Sequence, residues 1–115
     1  PVTKWELYDT HYTERFMGDP REVQDAYDKA SAIPDATKIA DPLLLIHGER
    51  DPVVPPHHAE SLFAAAGEPR ALWRIPQGGH IDAVRRAEVR DRMHAYLDAV
   101  TDRSPAITYT DGVVQ

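Results

Sequence analysis

The chain has 115 residues, enough for one small domain with a single core. Hydrophobic residues make up 42%, a globular composition, and the formal net charge of −6 without any strongly basic stretch argues against nucleic acid and anionic membrane surfaces as partners. No cysteine is present, which excludes disulfides, thiolate zinc sites and a cysteine nucleophile, and leaves the compartment open.

In chain order, the aromatic residues come first. Tyr8, Tyr12 and Phe16 are spaced four and four, which predicts a short helix with one aromatic face. Pro20 precedes a second predicted helix over Arg21 to Ala30, with Val23, Ala26, Tyr27 and Ala30 on one side. Pro34 to Pro42 reads as a connector. Leu43-Leu44-Leu45-Ile46 is apolar on both faces, as in a buried parallel strand, and is far too short to span a bilayer. A charged, then proline-rich loop follows, from Glu49 to Pro56. His57 to Ala66 predicts a helix with Ala59, Leu62, Phe63 and Ala66 inward, ended by Gly67. Ala71 to Ile75 is a second strand, and Pro76-Gln77-Gly78-Gly79-His80 is a loop. The last helix, about Val84 to Val100, carries Val89, Met93, Tyr96, Leu97 and Val100 toward the core. Residues 101–115 read as a flexible tail beyond a domain portion at 1–100. The alternation of strand and helix predicts an α/β fold, with parallel strands and helices on both faces.

Chemistry in an open parallel sheet collects at the carboxyl ends of the strands. Each predicted strand is followed by a loop with one residue suited to catalysis, Asp51 after the first and His80 after the second. A serine hydroxyl needs a base to take its proton, and histidine serves near neutral pH. An acid on the other ring nitrogen fixes the tautomer and stabilises the imidazolium. Gly78 and Gly79 are expected to let the backbone turn sharply and aim His80. Serine, acid, histidine is the α/β-hydrolase order, and an acid–histidine pair closed by one helix fits its end. The nucleophile is not visible: Ser31, Ser61 and Ser104 are the only serines, and none sits in a G-x-S-x-G elbow. The chain also starts at Pro1 without an initiator Met. The expectation is therefore the C-terminal half of an α/β-hydrolase domain, partnered by the missing N-terminal half of the same domain.

Two loops, Leu44-Leu45-Ile46-His47-Gly48-Glu49-Arg50-Asp51-Pro52-Val53-Val54-Pro55 and Pro76-Gln77-Gly78-Gly79-His80, resemble the acid and histidine loops of many α/β-hydrolases. A narrower likeness lies in Pro1-Val2-Thr3-Lys4-Trp5-Glu6-Leu7-Tyr8-Asp9-Thr10-His11-Tyr12-Thr13-Glu14-Arg15-Phe16-Met17-Gly18. It resembles the prolyl oligopeptidase family, dipeptidyl peptidase IV branch, in which P-V-x-x-W-x-x-Y-D-x-x-Y-T-E-R-[YF]-M-G follows shortly after the nucleophile. Every fixed position is filled, and the likeness runs to about Val100. It implies a serine peptidase acting on peptides after proline or alanine. It further implies that Val2, Trp5, Tyr8, Tyr12 and Val54 line the pocket for the residue before the scissile bond; flat aromatic walls suit a compact apolar ring. One position departs. Where the branch has D-D-N, with the asparagine holding a substrate carbonyl, this chain has Asp51-Pro52-Val53, and a valine side chain donates no hydrogen bond.

The remaining candidates read as structural. His57, His58 and Glu60 lack a spaced further ligand, so no metal site and no cofactor is expected. His47 is expected to pack at its strand end and His94 to sit at the surface. Glu14 and Arg15 suggest an ion pair beneath the pocket. Arg85, Arg86, Arg90 and Arg92 with Glu88 and Asp91 suggest a solvated charged face. Three functions stay open: a proline-directed serine peptidase, an esterase or acyl hydrolase using the same triad, and a non-catalytic α/β module.

Overall fold

The computed structural model describes residues 3–81 and 83–101. Two parallel strands, β1 (Leu43–Gly48) and β2 (Arg70–Ile75), pair in register from Leu43 opposite Arg70 to Gly48 opposite Ile75. The helix between them, α4 (His57–Ala65), and the last helix, α5 (Ala87–Thr101), cover opposite faces. Three shorter helices precede the sheet: α1 (Thr10–Met17), α2 (Gln24–Ala30) and α3 (Ile33–Ala36), with a 3-10 turn at Trp5–Leu7 ahead of them.

Period-two alternation in β2 sorts the faces. Ala71, Trp73 and Ile75 are buried against Val89 and Tyr96 of α5, with Leu44, Ile46, Met93 and Val100 packed around them. Trp73 meets Tyr96 edge to face, with ring centres 6.2 Å apart and an interplanar angle of 84°. The Arg92 guanidinium lies 5.1 Å from the Trp73 ring centre, closing the outer side of that core.

Residues of opposite parity in β2 turn to α4. Arg74 pairs with Glu60 at 3.3 Å. Arg70 reaches the carboxyl end of α4, where its Nη1 donates to the carbonyls of Phe63, Ala64 and Ala66, the last at 2.6 Å. A cation satisfying the last carbonyls of a helix also complements its dipole. The guanidinium covers the Phe63 ring at 4.5 Å.

Several expectations shift. The strand over 43–46 extends to Gly48, and its residues up to His47 are only half-buried, because two strands and two helices cannot enclose both faces completely. The second helix begins at Gln24: Asp19 instead closes a turn, its carbonyl accepting from Glu22 and Val23 and its Oδ1 from the Arg21 amide. In that helix Tyr27 is buried, with its hydroxyl donating to the Gly18 carbonyl at 2.8 Å, while Ala26 and Ala30 are exposed. The Pro34–Pro42 connector begins inside α3, with Pro34 in the first turn of that helix and Ala36 buried. The final helix starts at Ala87, preceded by a 3-10 turn at Ala83–Arg85, and its Leu97 is 49% exposed rather than inward. Thr101 closes α5, and the rest of the expected tail lies outside the described residues. No helix among the described residues is long and apolar enough to cross a membrane.

Candidate active site

Parallel pairing brings the ends of β1 and β2 side by side, and both loops leave from there. Gly48 ends β1 against the backbone of the second loop. A Cβ at Gly48 would stand 2.5 Å from the Gly79 carbonyl oxygen and closer still to that of Gly78. Gly78 is tight to a lesser degree, with a Cβ there 3.0 Å from the Ile75 carbonyl oxygen and 3.1 Å from the Gly48 Cα. Two glycines meeting face to face let the loops touch, and the contact is sewn by hydrogen bonds. Glu49 donates to Ile75 at 3.1 Å and Arg50 to Gly78 at 2.9 Å. The sharp turn expected of Gly78 and Gly79 falls instead on Gln77, whose φ is 59°, and the Gly78 amide closes it by donating to Ile75 at 3.0 Å. Gly78 is required for room. Arg86, expected on a solvated face, is half-buried and donates from Nη1 to the Pro76 carbonyl at 3.1 Å, tying the approach to α5 to this loop.

Asp51 and His80 meet across that junction. The His80 Nδ1 lies 3.0 Å from Asp51 Oδ2 and 3.2 Å from Oδ1. The Asp51 side chain is 4% exposed and that of His80 42% exposed, so the acid is enclosed while the imidazole keeps an open side. Asp51 Oδ1 also accepts from the amides of Val53 and Val54, each at 2.8 Å. Burial pushes the Asp51 carboxyl upward, but the Val54 amide, the His80 ring and the Val53 amide outweigh it and hold the group below its ordinary value. The acid is therefore an anion near neutral pH, oriented by two backbone donors and facing an imidazole.

The pocket residues implied by the resemblance occupy three stretches. Val2 lies outside the described residues. Trp5 opens the first 3-10 turn and Tyr8 follows it, both half-buried, with rings edge to face at 6.0 Å. Tyr12 lies on α1, 57% exposed, and its ring tilts against Phe16 at 5.1 Å, itself 72% exposed. Tyr8 stands outside the helix that its spacing with Tyr12 predicts. Val54 sits in the acid loop, half-buried. No ring contact joins Trp5, Tyr8 or Tyr12 to His80 among the described residues. Thr13, which the recurring pattern fixes, is buried, and its hydroxyl lies 2.9 Å from the Tyr8 carbonyl and 3.1 Å from that of Asp9, setting how Tyr8 leads into α1. Glu14 and Arg15 are both exposed and form no ion pair with each other; adjacent helical side chains diverge.

Two histidines make contacts that the sequence does not show. His58 is buried and its Nδ1 is hydrogen-bonded to the Thr3 hydroxyl, so it fastens the first segment to α4. Burial and then the neighbouring His57 push the His58 imidazole below its ordinary value. No cluster suited to a metal ion occurs among the described residues. His47 packs at its strand end as expected, but it also hydrogen-bonds through Nε2 to the Val54 carbonyl at 2.8 Å and lies 3.6 Å from Asp51 Oδ2. Its place directly before Gly48 was the only trace of this in the sequence. His94 is exposed.

Parallel strands with helices on both faces, and an acid–histidine pair at the strand ends, define part of an α/β-hydrolase fold. The family model of the prolyl oligopeptidase family matches residues 1–103, and the chain belongs to that family. It is 40% identical to the uncharacterized protein YfhR of Escherichia coli (strain K12) over 76 residues, 66% of this chain and 26% of YfhR. It is 41% identical to human dipeptidyl peptidase 8 over 86 residues, 70% of this chain and 10% of that protein. A probable dipeptidyl-aminopeptidase B of Ajellomyces dermatitidis is 47% identical over 53 residues. The chain thus spans about a quarter of the one relative and a tenth of the other.

Proposed function

We propose that this chain supplies the acid and the base of a serine-hydrolase triad, together with part of the substrate pocket, in a peptidase that cleaves after proline or alanine. The observation that carries the reading is the Asp51–His80 pair: a buried carboxylate, fixed by the Val53 and Val54 amides, 3.0 Å from the Nδ1 of a partly open imidazole. With Nδ1–H donating to Asp51, Nε2 is left as the base. It takes the proton of a serine hydroxyl as that oxygen attacks the scissile carbonyl, and the resulting imidazolium is stabilised by the Asp51 charge. The same proton then passes to the leaving amine.

The serine comes from residues outside this chain. Ser61 donates to the His57 carbonyl inside α4, Ser31 Oγ accepts from the Ile33 amide at 3.3 Å, and neither bonds to His80, while Ser104 lies outside the described residues and in no G-x-S-x-G elbow. By itself the chain is inactive, and its working partner is the remaining part of the same catalytic domain. Val2, Trp5, Tyr8, Tyr12 and Val54 form the apolar wall that receives a prolyl or alanyl side chain; the dipeptidyl peptidase names among the relatives support a peptide substrate.

A second reading, an esterase or acyl hydrolase with the same pair, is favoured by one position. Val53 stands where an asparagine would hold a peptide carbonyl, and it is 45% exposed, with no polar group to offer. The test is Asp51→Asn in the full-length protein, assayed on prolyl, alanyl, lysyl and simple acyl substrates. A fall in kcat of about 10⁴ is expected, because an amide cannot hold the required tautomer or stabilise the imidazolium. Near-normal kcat with the fold intact would remove the triad; equal kcat/KM for lysyl and prolyl substrates would remove the proline pocket.

A further inference from the structure

We infer that His47 is a positioning residue for this chemistry, holding the acid loop through Val54; the inference rests on the assignment of Asp51 as the triad acid. A carbonyl only accepts, so the 2.8 Å contact between His47 Nε2 and the Val54 carbonyl makes Nε2 the protonated nitrogen. The Val54 amide in turn donates to Asp51 Oδ1 at 2.8 Å. Residue 54 is therefore held at both of its backbone groups, by His47 on one side and by the acid on the other. His47 is the last side chain of β1 before Gly48, on the face of the sheet toward α4, whereas the loop it braces leads into α4. The brace thus ties the strand end to the helix start across the one loop that carries both Asp51 and Val54.

The contact with Asp51 itself adds a second constraint. His47 Nε2 lies 3.6 Å from Oδ2, the oxygen that His80 Nδ1 approaches at 3.0 Å. Oδ1 is occupied by two amides, so the carboxylate cannot rotate without losing them, and Oδ2 is left between two imidazoles. The nearer one is engaged by hydrogen bonding. The farther one is engaged with Val54 and blocks the space into which the carboxylate would swing. The side chains of His47 and Asp51 are 14% and 4% exposed, so water does not readily replace the missing donor. A single histidine thereby sets both the aim of the acid and the place of a proposed pocket residue.

The experiment compares His47→Phe, which keeps a flat ring and removes the donor, with His47→Gln, whose amide NH₂ can still donate to Val54, in the full-length protein. His47→Phe should lower kcat about tenfold, the size of one lost hydrogen bond in the transition state, and weaken the low-field proton resonance of the His80–Asp51 bond. His47→Gln should stay within about threefold of the parent and keep that resonance. A merely structural role would lower the melting temperature of the phenylalanine variant and leave kcat and the resonance alone. That outcome, or equal loss in both variants, overturns the inference. Nitrogen NMR of the parent protein needs no variant at all: His47 protonated at Nε2 is expected, and a bare Nε2 overturns it. Asp51→Asn, run alongside, separates the two levels. If Asp51→Asn keeps full kcat, the triad itself is wrong; if it is inactive while His47→Phe is unaffected, only the positioning role is wrong.

Discussion

The strand-end junction and the N-terminal aromatic segment are built in opposite ways. At the junction, Gly48 and Gly78 pack backbone against backbone, Asp51 is bonded to two amides and an imidazole, and Arg86 braces the loop from the α5 side. The Asp51 carboxylate there has its hydrogen-bond partners within this chain, and only the open side of the His80 ring faces outward. In the aromatic segment the rings pair, among the described residues, with their neighbours, Trp5 with Tyr8 and Tyr12 with Phe16, and Leu7, Tyr12 and Phe16 are 62%, 57% and 72% exposed. Hydrogen bonds and glycine contacts define the first site sharply. The second is an apolar surface whose shape depends on what is laid against it. The relation of acid to histidine is thus fixed within this chain, while the aromatic segment proposed as the pocket wall stays open to whatever packs on it.

The largest expected effect, the loss of about 10⁴ in kcat for Asp51→Asn, belongs to the junction. Next is Gly48→Ala. Its methyl group would collide with two backbone carbonyls that cannot step aside, so it should cost about 2–4 kcal/mol in denaturant unfolding and lower kcat as Asp51 and His80 part. Gly67→Ala is the internal control: its Cβ would meet nothing nearer than the Ile39 carbonyl at 3.8 Å, and stability should change by less than about 1 kcal/mol. Equal cost at both glycines would mean the junction is looser than its contacts imply.

Trp5→Ala and Tyr12→Ala probe the other region. Each should lower kcat/KM for prolyl substrates by about 1–3 kcal/mol and matter less for simple esters that leave the pocket empty. Uniform loss on all substrates would make these rings part of a core and erase the contrast between the regions. The smallest effect is one of pH. The Asp51 carboxyl lies lower in the folded protein than in the unfolded chain, so its contribution to stability is present above the unfolded value of about 3.9 and is lost as pH falls through the lower folded value. The melting-temperature gap between the parent and Asp51→Asn should therefore be constant from about pH 5 to 7 and shrink below about pH 4. A gap that already shrinks at about pH 6 would mean that the Asp51 carboxyl is not held below its ordinary value.

Sequence alone carried much of this. The double-faced apolar run, the period-two alternation of Ala71, Trp73 and Ile75, and the spacing of Val89, Met93 and Tyr96 are properties of local geometry, so the sheet, its two covering helices and the ordering of Asp51 before His80 were legible without coordinates. The aromatic pattern identified the family for the same reason, since it is a run of contiguous residues. What tertiary structure decided lies between segments. Gly78 looks like a turn residue and proves to be a spacer for Gly48, while the left-handed position falls on Gln77. His58 reads as an ordinary residue at a helix start and is bonded to Thr3, fifty-five positions away. His47 looks like packing and holds the Val54 carbonyl beside the acid. Periodicity reports which face a residue takes. Only the pairing of β1 with β2 sets which atoms meet there, because a hydrogen bond needs its partners within a few tenths of an ångström and no local pattern encodes that distance.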